Sequence, residues 1–341
     1  MLNGWVHIDG SMGEGGGQIL RTALSLSLIT GRAFQIEKIR TRRRNPGLQR
    51  QHLAAVEAAT QVGQAHVEGA RLGSQMLRFQ PAQVTPGDYH FNVGTAGSTT
   101  LVLQTILPAL LTASGPSALL LEGGTHNPMA PPFEFLDLTF LPLIRSMGPN
   151  VNAKLDRHGF YPAGGGKIRV LISPVPQLRS LEICSRGPVK MQARAVVASL
   201  PRTIAERELR VLKHDLRLSA SEIQVEEIKS PAPGNIALVE VASDHLTEVF
   251  AGFGEVRVRS EVVAGRLVEE VKRYLEADVP VGEHLADQLL LPLALAGSGS
   301  FVTMPLTMHA LTNIEVLKLF LPVQFKTEIL SAKAVKVEVT R

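Results

Sequence analysis

The sequence predicts an α/β protein of the α+β repeat kind, in which a unit of two helices on one face of a small sheet recurs three times around one inserted smaller α/β domain. Two observations lead there. Three segments share a Gly-containing polar loop followed by a small-residue-rich apolar helix that ends at glycine: Gly13-Glu-Gly-Gly-Gly-Gln-Ile-Leu-Arg21 running to Gly31, Gly94-Thr-Ala-Gly-Ser98 running through Gln104 to Gly115, and Gly282-Glu-His-Leu-Ala-Asp-Gln288 running to Gly297. After each helix the apolar period changes from about 3.6 to about 2, the signature of mixed α/β units.

The first unit continues with a strand at Ala33–Ile39, an amphipathic helix at Gly47–Val62 and a hairpin-like strand pair at Ala65–Phe79. The second repeats this at Ala118–Glu122, Pro132–Met147 and Val151–Ile172, and the third at Ser300–Leu306, Asn313–Leu321 and Gln324–Val339. The second and third units also share the string Gln-x-x-Leu-Pro, at Gln104–Pro108 and Gln288–Pro292. Spacing locates the interruption: 83 residues separate Arg21 from Gln104 but 184 separate Gln104 from Gln288, an excess of 101. That is the length of one small domain. Its edges are expected near Ser185 and Val279, giving a large three-repeat domain at 1–184 and 280–341 and an inserted domain at 185–279. Within the insertion, Lys190–Ser199 and Ala237–Val241 read as strands, and Ile204–Leu216 and Ser260–Glu276 as helices.

Composition narrows the function classes. With 341 residues and a 45% hydrophobic content, the chain has material for a large core, and a disulfide-stapled miniprotein is excluded. Cys184 is the one cysteine, so neither an intramolecular disulfide nor a multi-cysteine metal site is available, and a cytoplasmic setting is expected. No apolar run approaches membrane-spanning length, and the first nine residues lack a signal-peptide pattern, so no membrane partner is expected. A homodimer is allowed, with no heptad or large apolar stripe to decide it. The formal charge is +4, which permits a polyanionic partner without requiring one. Its distribution says more, because Arg40, Arg42, Arg43, Arg44 and Arg50 fall within eleven positions.

Chemistry-bearing residues gather in four strings. Glu14, Gln18 and Arg21 are spaced to project to one side of the first loop and helix, where backbone N–H groups suit an anion and a carboxylate beside phosphates suits a divalent cation. The string has neither the Lys-Ser/Thr of a Walker A loop nor dinucleotide-fingerprint spacing, and a structural glycine turn is the competing reading. Arg21, Gln104, Asp287 and Gln288 occupy equivalent first helices, so repeats packed about a common centre would bring them to one cleft. Their polar groups then need partners, either a ligand or one another. Arginine forks in Arg40–Arg50 suit phosphate oxygens, and Pro46-Gly47 sets that segment against a helix start. His309, in Met304-Pro-Leu-Thr-Met-His309-Ala-Leu-Thr-Asn313, follows the third-unit strand and precedes the Thr-Asn expected to open a helix. Imidazole can attack phosphorus through one nitrogen while the other is held, although a lone histidine on an apolar stretch is more often structural. His158-Gly-Phe-Tyr-Pro-Ala-Gly-Gly-Gly166 offers no such nucleophile and reads as a close backbone approach.

Together these strings resemble the RNA 3′-terminal phosphate cyclase family: Asp9-Gly-x-x-Gly-Glu-Gly-Gly-Gly-Gln-Ile-Leu-Arg21, Arg40-x-x-Arg43-x-x-Pro-Gly-Leu-x-x-Gln51-His52, His158-Gly-x-x-Pro-x-Gly-Gly-Gly166, Gly282-Glu-His-Leu-Ala-Asp-Gln288, and His309 before Leu-Thr-Asn. The resemblance covers essentially the whole chain and implies three βαβαββ-like units, each two helices on a four-stranded sheet, plus an inserted α/β domain. It implies ligase-type chemistry on an RNA ending in a 3′-phosphate. His309 would take AMP from ATP, releasing pyrophosphate; AMP would pass to the RNA phosphate; and the neighbouring 2′-OH would displace it to leave a 2′,3′-cyclic phosphate. By the same resemblance Glu14 would hold Mg²⁺ or Mn²⁺, and Arg21, Arg40 and Arg43 would neutralise phosphate charge. Gln51 and His52 would flank that phosphate site, together with Arg40 and Arg43 on the RNA side. Gln104, Leu285, Ala286, Asp287 and Gln288 would contact the nucleotide, with Asp287 also assisting the metal or the imidazole, and Pro131 and His284 would flank adenine. His284 departs from the tyrosine frequent in the family, and its ring can still stack. Two other functions sit on related folds. A binding-only ribosome-assembly relative would lack the nucleophile and parts of the metal loop, yet Glu14, Arg21, Asp287 and His309 are present. An enolpyruvyl transferase would need neither His309 nor the basic loop.

Overall fold

The computed structural model describes residues 4–94 and 96–341; residue 95 and Met1–Asn3 lie outside them. Each unit lays out β-α-β-α-β-β. The first comprises β1 (Val6–Asp9), α1 (Gly17–Thr30), β2 (Phe34–Glu37), α2 (Arg50–Gly63), β3 (His66–Glu68) and β4 (Leu77–Gln80), in sheet order β1-β2-β4-β3. The second runs β5 (Asp88–Asn92), α3 (Thr99–Leu110), β6 (Ser117–Gly123), a helix that is π-type over Phe135–Phe140 before α4 (Leu141–Ser146), β7 (Asn150–Arg157) and β8 (Gly166–Ser173), ordered β5-β6-β8-β7. Pro142, lacking an N–H, interrupts the ordinary hydrogen-bond ladder just after the π stretch.

The third unit is split. Its first strand, β9 (Glu182–Ile183), runs parallel to β14 (Ser298–Thr303) through Ser300 and Phe301. The chain then makes a separate sheet before returning through α7 (Glu283–Ala296), β14, α8 (Met308–Phe320), β15 (Gln324–Ser331) and β16 (Ala334–Thr340), in the order β15-β16-β14-β9. All three sheets therefore share one topology: a parallel first pair, followed by an antiparallel returning hairpin.

The intervening sheet is made of β10 (Lys190–Ala198), β11 (Ile223–Ile228), β12 (Gly234–Ala242) and β13 (Thr247–Phe253), ordered β11-β10-β12-β13. Its helices are α5 (Arg202–Asp215) and α6 (Ser260–Ala277). Ala193, Ala195, Val197, Ala237 and Val239 pack with Leu209, Leu212, Leu267 and Val271 of those helices. Val196, Ala198, Ile236 and Leu238 point the other way, into the large core that spans the three repeats. Burial on both faces explains why these strands read as continuous apolar runs. Packing among α1, α2, α3, α7 and α8 brings the first helices of the units together and sets the position of the site.

Candidate adenylation site

Three helix starts carry the site. The sequence places His309 ahead of a helix beginning at Asn313; instead α8 begins at Met308, because the Thr307 Oγ1 accepts the Ala310 N–H at 3.2 Å and caps the turn. His309 thus stands in the first turn, where the positive end of the helix disfavours its charged form. Across the cleft, the Glu14 N–H donates to Thr312 Oγ1 at 3.0 Å, tying the glycine loop to α8. Gly13, at φ +48°, leaves no room for a side chain beside that threonine.

Behind His309 lies a chain of hydrogen bonds whose directions are fixed by chemistry. The Asp287 carboxylate, on α7, can only accept when ionised. Gln18 on α1 therefore turns its Nε2 to it, 2.6 Å from each carboxylate oxygen. Asn313 Nδ2 donates to the same carboxylate at 3.0 Å and to the Asp287 carbonyl at 3.1 Å, while its Oδ1 accepts from Thr22 Oγ1 at 2.9 Å. With its amide nitrogen committed, Gln18 presents Oε1 to His309 Nδ1 at 3.0 Å. Nδ1 must carry the proton and donate it, which leaves the Nε2 lone pair free. That nitrogen lies 3.7 Å from Glu14 Oε1, and Arg43 forms an ion pair with the same carboxylate.

Burial, reinforced by Arg43, His284 and Arg21, holds the His309 pKa below its ordinary 6.5 against the opposing pull of Asp287. Burial likewise raises the Asp287 carboxyl, opposed by Gln18, His309, Asn313 and Arg21. Only the free-base imidazole could act as a nucleophile, so a lowered pKa would keep His309 reactive to lower pH. Formation of an AMP adduct is expected to rise with pH through an inflection below 6.5 and to be flat by about pH 7. A pH–rate profile of adduct formation checks this; an inflection well above 7 would contradict it.

Arg21 is desolvated on α1, which lowers its pKa to about 10 against the attraction of Asp287, and its guanidinium has no hydrogen bond or ion pair among the described residues. His52 stands beside it. The ring Nδ1 accepts the Gln49 N–H at 3.0 Å in the cap of α2, so Nε2 carries the proton, and burial followed by Arg21 and Arg40 lowers its pKa to about 3. A Cβ at Gly17 would run into both side chains, hence the glycine there. Arg40 is tied differently: its Nη1 donates to the Asn45 and Gly47 carbonyls at 2.7 and 3.0 Å and closes the basic loop. Gln51 lies in the first turn of α2, and its side chain makes no hydrogen bond among the described residues.

Gln104 Nε2 donates to Gln288 Oε1 at 2.6 Å. Gln104 and Gln288 therefore partner each other, as Gln18 and Asp287 do. Leu285 and Ala286 are buried in the core, so their side chains do not line the cleft. The Pro131 carbonyl accepts from Thr100 Oγ1 at 2.8 Å, while the exposed His284 lies 3.8 Å from Glu270 of α6. The sequence shows Gln18 only as projecting beside Glu14 and Arg21. Asn313 stood out only as a helix opener. Their role comes from partners 269 and 26 residues away, and the one available signal was a polar amide near an otherwise apolar helix face.

The family model for RNA 3′-terminal phosphate cyclase matches residues 12–327. The chain belongs to this family. It is also 56% identical, over 323 residues, to the RNA 3′-terminal phosphate cyclase of Koribacter versatilis (strain Ellin345), a match covering 94% of this chain and 91% of that protein. The family's span includes the glycine loop, the basic loop, α7 and His309, the residues around which the hydrogen-bonded cluster is built. No helix among the described residues is long and apolar enough to cross a membrane.

Proposed function

We infer that the chain is an ATP-dependent RNA 3′-terminal phosphate cyclase working through a covalent His309–AMP. The observation that carries the site assignment is the Asp287–Gln18–His309 chain, which leaves Nε2 as the nucleophilic nitrogen. In the first step Nε2 bonds to the α-phosphorus of ATP and the bond to pyrophosphate breaks. The proton stays on Nδ1, donated to Gln18 Oε1, and Asp287 behind the amide offsets the positive charge that the ring gains. A 3′-phosphate oxygen of the RNA then displaces the imidazole from phosphorus, giving an RNA–adenylate anhydride. Finally the 2′-OH attacks the RNA phosphorus and AMP departs. The reaction as a whole replaces a phosphate oxygen of the RNA, a poor leaving group, with AMP, a good one.

Arg21 has its whole guanidinium available to phosphate, and Arg40 retains its Nε and Nη2 after closing the loop. Arg43 would move from Glu14 to phosphate when ATP enters. Gln51 and the Nε2–H of His52 complete the RNA-phosphate side. Gln104, Gln288 and the Leu285–Asp287 backbone line the nucleotide side, with Pro131 and His284 about adenine. The Glu14 carboxylate, a hard oxygen donor, fits Mg²⁺ or Mn²⁺, and Asp287 connects to it through Gln18 and His309. When bound, the ion neutralises phosphate oxygens and so eases attack.

Residues 1–184 and 280–341 would carry this chemistry, and 185–279 supplies none of these side chains. The free Cys184 fits a cytoplasmic setting. A homodimer is the oligomeric state we propose to test by sedimentation. The functional test offers the protein ATP with RNA ending in a 3′-phosphate or a 3′-hydroxyl. Only the phosphate-ended RNA is expected to become resistant to phosphatase as a cyclic phosphodiester; equal processing of the two ends would overturn the reading.

A further inference from the structure

A second cluster of ionisable side chains, with no hydrogen bond to the His309 cluster among the described residues, lies where the second repeat meets the inserted sheet. His126 and Glu134 are 1% and 5% exposed, and His126 Nε2 lies 2.9 Å from Glu134 Oε2. On its other side, His126 Nδ1 is 2.7 Å from Thr125 Oγ1, which itself accepts the Gly159 N–H at 2.9 Å. The His158 ring stacks on His126 with centroids 4.8 Å apart and 20° between planes. Neither ring nitrogen of His158 has a hydrogen-bond partner among the described residues. None of these groups enters the proposed cyclisation chemistry.

One donor atom each from His126, Glu134 and His158 lies within 4.8 Å of the other two. Tetrahedral zinc, with bonds of roughly 2.0–2.2 Å to nitrogen and carboxylate oxygen, sets neighbouring ligand atoms about 3.3 Å apart. The His126–Glu134 pair is already near that spacing, so the adjustment falls mainly on His158, the half-exposed and unpartnered ring. The surroundings also call for positive charge. Arg194 of β10 lies 3.7 Å from Glu134 Oε1, 3.3 Å from Glu226 and 3.5 Å from Glu240. Three carboxylates thus share one guanidinium. Burial, then the neighbouring Glu134 and Glu226, pushes the Glu240 carboxyl upward in spite of Arg194.

We propose that His126, Glu134 and His158 form a three-ligand site for a zinc-type divalent ion that pins the segment after β6 to the β7–β8 connection within the second repeat, beside the inserted sheet. Imidazole nitrogens select such an ion over Mg²⁺. Ligation through His126 Nε2 moves that ring's proton to Nδ1, where Thr125 Oγ1 accepts it, so the tautomer change needs no net proton loss. Arg194 holds the carboxylate oxygen of Glu134 that does not face His126, and so links the ligand to β10.

The test uses the full-length chain stripped by a chelator and titrated with Co²⁺, whose visible bands report tetrahedral coordination, and with Zn²⁺ in a melting experiment. One equivalent of Co²⁺ should give intense visible bands, and saturating Zn²⁺ should raise the melting temperature by roughly 5 °C. His158→Phe keeps a ring stacked on His126 but supplies no donor; it should lose both signals with an unchanged far-UV circular dichroism spectrum. His309→Ala should keep both. Absence of the bands in the wild-type chain, their survival in His158→Phe, or their loss in His309→Ala would each overturn the site.

Discussion

His309→Ala leaves no AMP on the protein. Incubated with α-labelled ATP and Mg²⁺ or Mn²⁺, the wild-type chain should acquire a label that is acid-labile and alkali-stable, as a phosphoramidate is, and the alanine variant should acquire none. The expected effect is complete because the step makes a covalent bond to Nε2 and no neighbour can replace it. His52 is held neutral with its proton on Nε2 by the Gln49 N–H, and His284 is exposed beside Glu270. Cyclisation of 3′-phosphate RNA should fall to background with the label. Equal labelling of the variant would contradict the assignment.

Asp287→Asn should slow adduct formation on the order of 10³-fold or more, the scale seen when an aspartate behind a catalytic histidine loses its charge. Asn313 Nδ2 donates to Oδ1, so the new amide must keep its oxygen there and set its NH₂ where Oδ2 was. Gln18 Nε2, which lies 2.6 Å from both carboxylate oxygens, now shares Oδ1 with Asn313 and meets a donor in place of Oδ2, which favours a turned amide that presents Oε1 to residue 287 and NH₂ to His309. The imidazole proton is then driven from Nδ1 to Nε2, and the attacking lone pair is lost. The change conserves volume, so the loss should appear in the rate of the chemical step at saturating ATP, with an unchanged melting transition. Single-turnover adenylation measures it; a rate within a few-fold of wild type would contradict the relay.

Much of this fold can be read from the sequence because the repeat makes each unit a check on the others. The helix, strand, helix and hairpin of all three units were expected, and Gly31 and Gly297 do close α1 and α7 in the left-handed conformation. The opening strand of the third unit was not legible from spacing, since two residues, Glu182 and Ile183, carry no periodicity and their partners Ser300 and Phe301 lie beyond the insertion. The start of α8 was hidden for a different reason. Met308-His-Ala-Leu shows no apolar stripe of its own, and the signal is the single cap at Thr307.

The candidate site divides in the same way. Loops rich in glycine and arginine announce themselves locally, and Glu14, Arg21, Arg43 and His309 were all singled out in the sequence. The order in which protons are held depends on side chains from α1, α7 and α8 meeting at one point, and no local pattern encodes it. Arg40 illustrates the converse: its sequence context signals phosphate, yet part of its guanidinium is spent on the Asn45 and Gly47 carbonyls.

The central claim is that His309 reacts through Nε2 because Gln18 holds Nδ1. It is tested most directly by locating the phosphorus on the adduct. With ¹⁵N-labelled histidine, phosphorus–nitrogen coupling in the isolated AMP-peptide should assign AMP to Nε2 of His309. Attachment at Nδ1, or on any other residue, would contradict the account.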